Sequence, residues 1–161
     1  MKNLIIIYSD QKQLKDFLKS TFDKDINTKC EIFSYKQLSV ICAPAPIFID
    51  SQNSVIVLLD ITNENINIKN AAICILSSEN SAALKVLKNK NIPCLTCGNG
   101  TLDSISLSSI TEEKIIICQQ RNIKTIDGKI LEAREFPIER IENVPIEILL
   151  LASATRAVIE N

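Results

Sequence analysis

Short, continuously apolar runs constrain the fold of this chain more than any other feature of its sequence. Four such runs occupy residues 4–8, 54–59, 72–76 and 92–96, and the chain as a whole holds 28 isoleucines. A strand that is apolar on both faces is typical of a sheet covered on both sides, as in parallel α/β proteins. The runs therefore predict four buried strands of a mainly parallel sheet.

Apolar residues recur at helical spacing in three other segments. This periodicity predicts helices over residues 11–22, 80–89 and 145–158. The first helix follows Asp10, whose side chain suits an N-cap, and the last has Pro145 in its first turn. Because strands alternate with helices through the first two thirds of the chain, the pattern favours a three-layer α/β arrangement.

The last third of the chain has a different pattern. Strand-like runs follow one another at residues 104–108, 114–120, 122–126 and 129–136. Asp127-Gly128 joins the last two and predicts a type I′ hairpin, in which both central residues have positive φ. The expected fold is one α/β domain over residues 1–161, with a mainly parallel sheet, a C-terminal antiparallel meander and a final packed helix.

The remaining segments have weaker patterns. Residues 30–42 predict a strand, a short helix or turn near residues 35–38, and another strand, and the Ala-Pro repeat at residues 43–46 predicts an interruption of regular structure. Residues 62–70 contain four asparagines and predict a loop. No linker or repeat divides the chain.

Composition excludes several kinds of site. With no histidine, the chain has no Ser-His-Asp triad, Cys-His dyad or histidine-ligated metal. Its three glycines, Gly98, Gly100 and Gly128, fit neither the phosphate-loop motif nor the dinucleotide motif. A net charge of −1 argues against non-specific nucleic-acid binding, and no apolar run is long enough to span a membrane. We expect a cytoplasmic protein with no cofactor or metal and no nucleic-acid or membrane partner.

Cys94-x-x-Cys97 is the sharpest short motif among six cysteines. A redox pair needs its first cysteine at a helix N-terminus, whereas this motif ends a predicted strand and precedes a loop. A zinc site needs a second ligand pair, which the sequence lacks. All six thiols are expected to be reduced and mostly unreactive, and a redox role for Cys94 and Cys97 is the alternative.

Polar residues follow two neighbouring predicted strands. Open α/β sheets bind ligands beyond the carboxyl ends of their strands, so these residues are the candidate ligand-binding site. They are Ser77, Ser78, Glu79, Asn80, Gly98, Asn99, Gly100 and Asp103. The alternative is a helix N-cap followed by a solvated turn. The strand-end carboxylates Asp60, Glu79 and Asp103 are also a weak candidate for a divalent cation site.

The second half of the chain, residues 71–161, resembles the later part of the central domain of Mur ligases. These are ATP-dependent, amide-forming ligases of cell-wall and folylpolyglutamate synthesis. The element order matches that of the family. The family commonly has a strand that ends in threonine and an aromatic residue before a glycine, and an Ala-Asp pair a few residues later. Thr96, Gly98 and Asp103 stand at the positions of that threonine, glycine and aspartate. Cys97 stands where an aromatic residue is usual, and Leu102 where alanine is usual.

The chain lacks the catalytic elements of the family. The segment Ser77-Ser78-Glu79-Asn80 stands where the family often carries an Asn-x-Asp-Asp turn, and Tyr8-Ser9-Asp10-Gln11-Lys12 replaces the glycine-rich phosphate loop. Asn143-Val144-Pro145 occupies the place of a His-Asn element near the adenine. The resemblance therefore implies ancestry and fold without ligase activity.

Three functions follow from these patterns. The first is a non-catalytic, Mur-ligase-like domain that binds a protein partner or a small ligand in the cytoplasm. The second is an enzyme or sensor that uses Cys94 and Cys97, or the strand-end carboxylates. The third is a structural subunit whose apolar C-terminal helix forms a homo-oligomeric interface.

Overall fold

The computed structural model describes residues 2–22, 32–45, 47–62 and 65–159. Its elements, in chain order, are β1 (Lys2–Tyr8), α1 (Gln11–Phe22), β2 (Ile32–Tyr35), β3 (Leu38–Pro44), β4 (Ile47–Asp50), β5 (Ser54–Leu59), β6 (Ile66–Asn70), β7 (Ile73–Ser77), α2 (Ser81–Leu87), β8 (Cys94–Gly98), β9 (Ile105–Ile110), β10 (Lys114–Gln119), β11 (Ile123–Lys124), β12 (Ile130–Leu131), β13 (Arg134–Glu139) and α3 (Ile146–Ile159). Cys30, Pro46, Asn63 and Glu64, which belong to predicted segments, lie outside the described residues.

A nine-stranded mixed sheet forms the middle layer, in the order β13-β10-β9-β8-β7-β5-β1-β3-β2. The six strands from β9 to β3 pair in parallel. Antiparallel pairing is confined to the ends of the sheet, where β2 pairs with β3 and β10 pairs with β9 and β13. The predicted fold class, a mainly parallel sheet with antiparallel C-terminal strands and a packed final helix, is confirmed.

Helices α1 and α3 cover one face of this sheet. The fully buried Phe17 of α1 lies in the same core as Leu4 and Ile6 of β1. Ten of the fourteen residues of α3 are buried, because this helix lies against both the sheet and α1. Most of the apolar side chains of α3 are thus packed within the chain, and a homo-oligomeric interface through this helix stays a prediction.

The other face is covered by α2 and by a small sheet of β4 and β6. These elements bury a second core with Ile56 of β5 and Cys74 of β7. Strand β6 corrects the loop predicted over residues 62–70: Ile66 and Ile68 are buried and alternate with the exposed Asn67. The isoleucines carried a two-residue period that the surrounding asparagines concealed.

Several element boundaries differ from the predictions. Strand β8 begins at Cys94, directly after Pro93, because a proline has no N–H to donate to the ladder. Strand β3 continues through Pro44 instead of ending at Cys42, so the interruption predicted over residues 43–46 is wrong at Ala43 and Pro44. Helix α2 ends at Leu87, and Asn89 then adopts a left-handed conformation with φ of 62°.

The hairpin at Asp127-Gly128 is not of type I′. Gly128 has φ of +87°, whereas Asp127 is not among the described residues with positive φ. The Gly128 N–H donates to Thr125 O at 2.9 Å, and the Thr125 N–H donates to Lys129 O at 2.8 Å. This pattern is a type I turn followed by a left-handed glycine, so the loop is longer than predicted. The hairpin forms its own two-stranded sheet, and β13 then returns to pair with β10.

None of the helices in the described part of the chain has the length and apolar character needed to cross a membrane.

Candidate functional site

The chain turns unusually tightly between β8 and β9. Parallel strands normally need a crossover of a dozen or more residues, but only residues 99–104 connect these two. Their parallel pairing is correspondingly short and joins Cys97 to Ile105 and Gly98 to Ser106. The turn closes with the Ser104 N–H donating to Thr96 O at 2.8 Å.

Asp103 holds this turn to the end of β7. Its side chain is 4% exposed, and its Oδ2 accepts hydrogen bonds from Ser78 Oγ at 3.1 Å and from the Gly100 N–H at 2.8 Å. The Ser78 N–H in turn donates to Cys97 O at 2.9 Å. One carboxylate therefore connects the carboxyl ends of two neighbouring strands with the turn that follows.

Gly98 is required here by space. A Cβ built on Gly98 would overlap Ser78 Oγ and would lie 2.6 Å from Asp103 Oδ2. At Gly100 the same Cβ would lie 3.1 Å from Asp103 Oδ2, a milder contact. The glycine that matches the Mur-ligase pattern thus makes room for a serine–aspartate hydrogen bond.

The other candidate residues cap a helix or face solvent. Asn80 Oδ1 accepts the Ala83 N–H at 2.9 Å as the N-cap of α2, and Ser77 Oγ accepts the Glu79 N–H at 3.2 Å. Glu79 and Asn99 are exposed. The structure thus brings Ser78, Gly100 and Asp103 together in hydrogen bonds with Gly98 packed against them, while Ser77, Glu79, Asn80 and Asn99 lie outside that cluster. Their role in ligand binding stays a prediction.

Two side chains that follow β10 hold the outer side of the turn. Gln120 Nε2 donates to Gly100 O at 3.1 Å, and Arg121 Nη2 donates to Leu102 O at 2.7 Å. The sequence patterns did not single out Arg121 as a site residue. Its hydrogen bond is between residues 19 positions apart, which no local pattern could indicate.

Cys94 and Cys97 point to opposite faces of β8. Cys94 is exposed, whereas Cys97 is 0% exposed and its Sγ lies 3.7 Å from Leu150 O. Three residues along a strand span about 10 Å, well beyond the Cα separation of a disulfide. The two thiols cannot form a redox pair without unfolding the strand.

Burial controls the acidity of the cysteines. Desolvation raises the pKa of the Cys74 thiol from 9.0 to about 12, and it raises the pKa of Cys97 as well. Desolvation also raises the pKa of Cys94, although that side chain is exposed overall. Of the described cysteines, Cys94 is exposed at the start of β8, and Cys118 is only partly buried. That the thiols are reduced and mostly unreactive stays a prediction.

The strand-end carboxylates do not assemble into a cation site. Asp103 bonds to Ser78 and Gly100, and Glu79 is exposed. Asp60 follows β5 with a left-handed φ of 40°. Among the described residues, no group of three or more His, Cys, Asp or Glu side chains could hold a metal ion.

The order of the strands puts the topological switch point between β1 and β5, because the chain leaves these two strands in opposite directions. Asp10 lies at this point and caps α1, since its Oδ1 accepts the Gln13 N–H at 2.9 Å. Asp60 lies at the end of the neighbouring strand. The carboxylates of Asp10 and Asp60 thus lie where phosphate-binding α/β sheets expose backbone N–H groups, and Asp10 also occupies one of those N–H groups. The negative charge of both side chains repels phosphate.

A cleft of about 830 Å³ opens between α1, α3 and the β12–β13 region. One wall is a stripe of α3 residues at helical spacing, including Leu149, Ala152 and Ala157, and the opposite wall is formed by Phe136 and Ile138 of β13. Phe136 and Ile138 are only half-buried, although both pack against the core that contains α3. No sequence pattern indicated this cleft, since its walls are separated in the chain and meet only in the folded sheet.

Positive charge dominates the cleft. Lys19, Lys129, Arg134 and Arg156 line it, against the single carboxylate of Glu139. None of the four cations forms an ion pair with a carboxylate of the described residues. The cleft is therefore apolar on its walls and cationic around them.

Neither the protein-family models nor the curated proteins that were compared with this chain gave a match.

Proposed function

We propose that this chain is a non-catalytic, Mur-ligase-like domain that binds a small ligand or a partner protein in the cytoplasm, and that its binding surface is the cleft between α1, α3 and β13. The cleft is the observation that carries the proposal. Its volume of about 830 Å³ lies in the range of small-molecule sites, and such sites combine apolar walls with a few charged groups.

The residues that follow the carboxyl ends of the parallel strands support a non-catalytic role. Asp10 caps α1 with its own carboxylate, so the backbone at the switch point is not free to wrap a phosphate. Asp103 and Ser78 are bonded to each other and to the turn beside them. The succession from β7 to α3 is the element order on which the resemblance to Mur ligases rests.

Titration calorimetry with Mg-ATP tests the non-catalytic part of this proposal. We expect no binding with a dissociation constant below about 1 mM, which corresponds to about −4 kcal/mol. We also expect no phosphate release above the buffer background. Submillimolar binding of Mg-ATP would contradict the proposal.

Amide chemical shifts in the presence of a small-fragment library test the cleft. Fragments that bind should shift amides of α3 and β13, and Ala157→Trp should abolish these shifts by filling the cleft. Ala133→Trp is the matched control, because Ala133 is exposed and does not line the cleft. If the shifted amides instead cluster at residues 98–103, the cleft is not the binding site, and the turn after β8 that the sequence predicted is.

A further inference from the structure

We infer that the cleft binds a small amphiphilic anion, a molecule with an apolar body and one carboxylate or phosphate group. This inference rests on the proposed function and specifies the ligand of the same cleft. Three features of the cleft lead to it: its charge, the fixed position of two guanidinium groups, and the shape of its apolar walls.

The positive charge is local to the cleft. The whole chain is nearly neutral, with 18 basic and 19 acidic residues, but the cleft has four cations and one carboxylate. Cations that line one concave surface and form no ion pair with the described carboxylates raise the local concentration of anions and favour a ligand of opposite charge. A neutral or cationic ligand would leave these charges without an anionic partner among the described residues.

Two arginines are held in place before a ligand binds. Arg156 Nε donates to Thr21 O, the carbonyl near the end of α1, at 3.0 Å. The Arg134 guanidinium lies 5.4 Å from the centroid of the Phe136 ring, within the range of a cation–π contact. Each guanidinium has five N–H donors, so both retain donors for a carboxylate or phosphate.

The walls suit an apolar body of limited size. Ala152 and Ala157 keep the α3 side shallow, and Phe136 and Ile138 form a half-buried surface opposite. A peptide pairing with β13, the edge strand, is less suited, because Pro137 supplies no N–H to a peptide backbone. The volume and the interrupted strand edge together favour a small molecule over an extended acidic peptide.

Phe136→Trp provides a direct reporter, because the chain contains no other tryptophan. Decanoate and decyl phosphate, each below its micelle concentration, should change the tryptophan fluorescence saturably. Decanol and decylammonium should bind at least about tenfold more weakly, the loss expected when one charge-assisted hydrogen bond is missing. Wild-type protein followed by amide chemical shifts repeats the comparison without a substitution in the cleft.

Charge-removing variants locate the anion. Arg134→Gln and Arg156→Gln should each weaken decanoate binding by about tenfold and leave weak decanol binding unchanged. Lys12→Gln and Lys85→Gln are matched controls, because both lysines are helical and neither lines the cleft. These controls should bind decanoate as the wild type does.

Several outcomes would overturn the inference while leaving the proposed function intact. Equal affinity for decanol and decanoate would show that charge does not select the ligand. Tighter binding of an oligoglutamate peptide than of decanoate would replace the small anion with an acidic peptide. If fragments shift amides in the cleft but no anionic probe binds, the ligand is not an anion and the inference is wrong. If neither fragments nor anionic probes bind in the cleft, the proposed function itself is wrong.

Discussion

At the residue scale, Asp103 and Gly98 act as one unit. The carboxylate of Asp103 needs the donors of Ser78 and Gly100 because it is buried, and those bonds occupy the space that a side chain at Gly98 would fill. This arrangement explains why a glycine and an aspartate five residues apart accompany a tight parallel turn. Gly98 and Asp103, which the sequence suggested as ligand-binding residues, thus also have a structural role that accounts for their presence in this turn.

Gly98→Ala should lower the free energy of unfolding by about 2 kcal/mol, because its Cβ would overpack the Ser78–Asp103 contact. Urea denaturation measures the change. Gly100→Ala should cost less than about 1 kcal/mol, since its Cβ would meet only the tip of the Asp103 side chain.

A double-mutant cycle identifies the contact responsible. Ser78→Ala removes the hydroxyl that the new Cβ would overlap, so the double variant with Gly98→Ala should be more stable than the two separate losses predict. Strict additivity of the two losses would show that Ser78 is not the obstacle.

Cys94 should be the first of the described cysteines to react with a mild disulfide reagent at pH 8, because its side chain is exposed, whereas Cys42, Cys74 and Cys97 are buried and Cys118 is partly buried. Peptide mapping by mass spectrometry identifies the modified residue. Cys94→Ser should remove this label from native protein. Oxidation that produced a Cys94–Cys97 disulfide in folded protein would contradict the geometry of β8.

At the scale of elements, capping side chains close in sequence determine where helices begin. The geometry of strands and hairpins depends also on contacts with residues distant in the chain. Asp10 and Asn80 cap α1 and α2 with their own side chains, as their sequence positions indicated. The β11–β12 hairpin shows the contrast, because Asp-Gly marked the turn correctly but not its type. Asp127 forms an ion pair with Lys2 of β1, which connects the hairpin to the far end of the chain.

Gly128→Ala should destabilise the protein by about 1 kcal/mol, because a left-handed residue with a Cβ costs about that much. Gly128→Asn should cost less, since asparagine tolerates this conformation better than alanine does. Thermal unfolding of the three proteins provides the comparison. Equal melting temperatures for wild type and Gly128→Ala would contradict the φ of +87° at this position.

At the scale of the whole molecule, the sheet separates two cores, and each contains a buried thiol. Cys97 lies in the core under α1 and α3, whereas Cys74 lies in the core under α2, β4 and β6. Both thiols have raised pKa values because of desolvation. A thiol that resists ionisation in the folded state links stability to alkaline pH.

The stability of the folded protein should fall as pH rises above about 9. Below pH 9.0 the Cys74 thiol is protonated in both states, and between 9.0 and about 12 only the unfolded state releases the proton. The loss for this one thiol approaches about 1.4 kcal/mol per pH unit in that window. Urea denaturation at several pH values should show a shallower decline for Cys74→Ala than for wild type.

The comparison has an internal control. Below pH 8 the stability difference between Cys74→Ala and wild type should not depend on pH, and other alkaline groups contribute equally to both proteins. Parallel curves from pH 8 to pH 11 would contradict the assignment of the raised pKa to Cys74.

The sequence by itself determined the elements whose cause is local. The stripe of Leu14, Phe17 and Leu18 located α1 at residues 11–22, and the apolar run before Asp60 located β5, because periodicity and capping act within one segment. It also located the turn residues of the candidate site. It did not reveal β4, whose apolar run is only three residues long and follows an Ala-Pro repeat, or β6, whose isoleucines alternate with asparagine and lysine.

Only the tertiary structure decided how these segments meet. The order of the strands places Asp10 and Asp60 at the switch point, and it brings Asp103 onto Ser78. It also creates the cationic cleft from α1, α3 and β13, whose residues lie more than 100 positions apart at the extremes. The physical reason is that burial patterns specify which face of each element is covered, whereas the choice of neighbour depends on packing between residues distant in the chain.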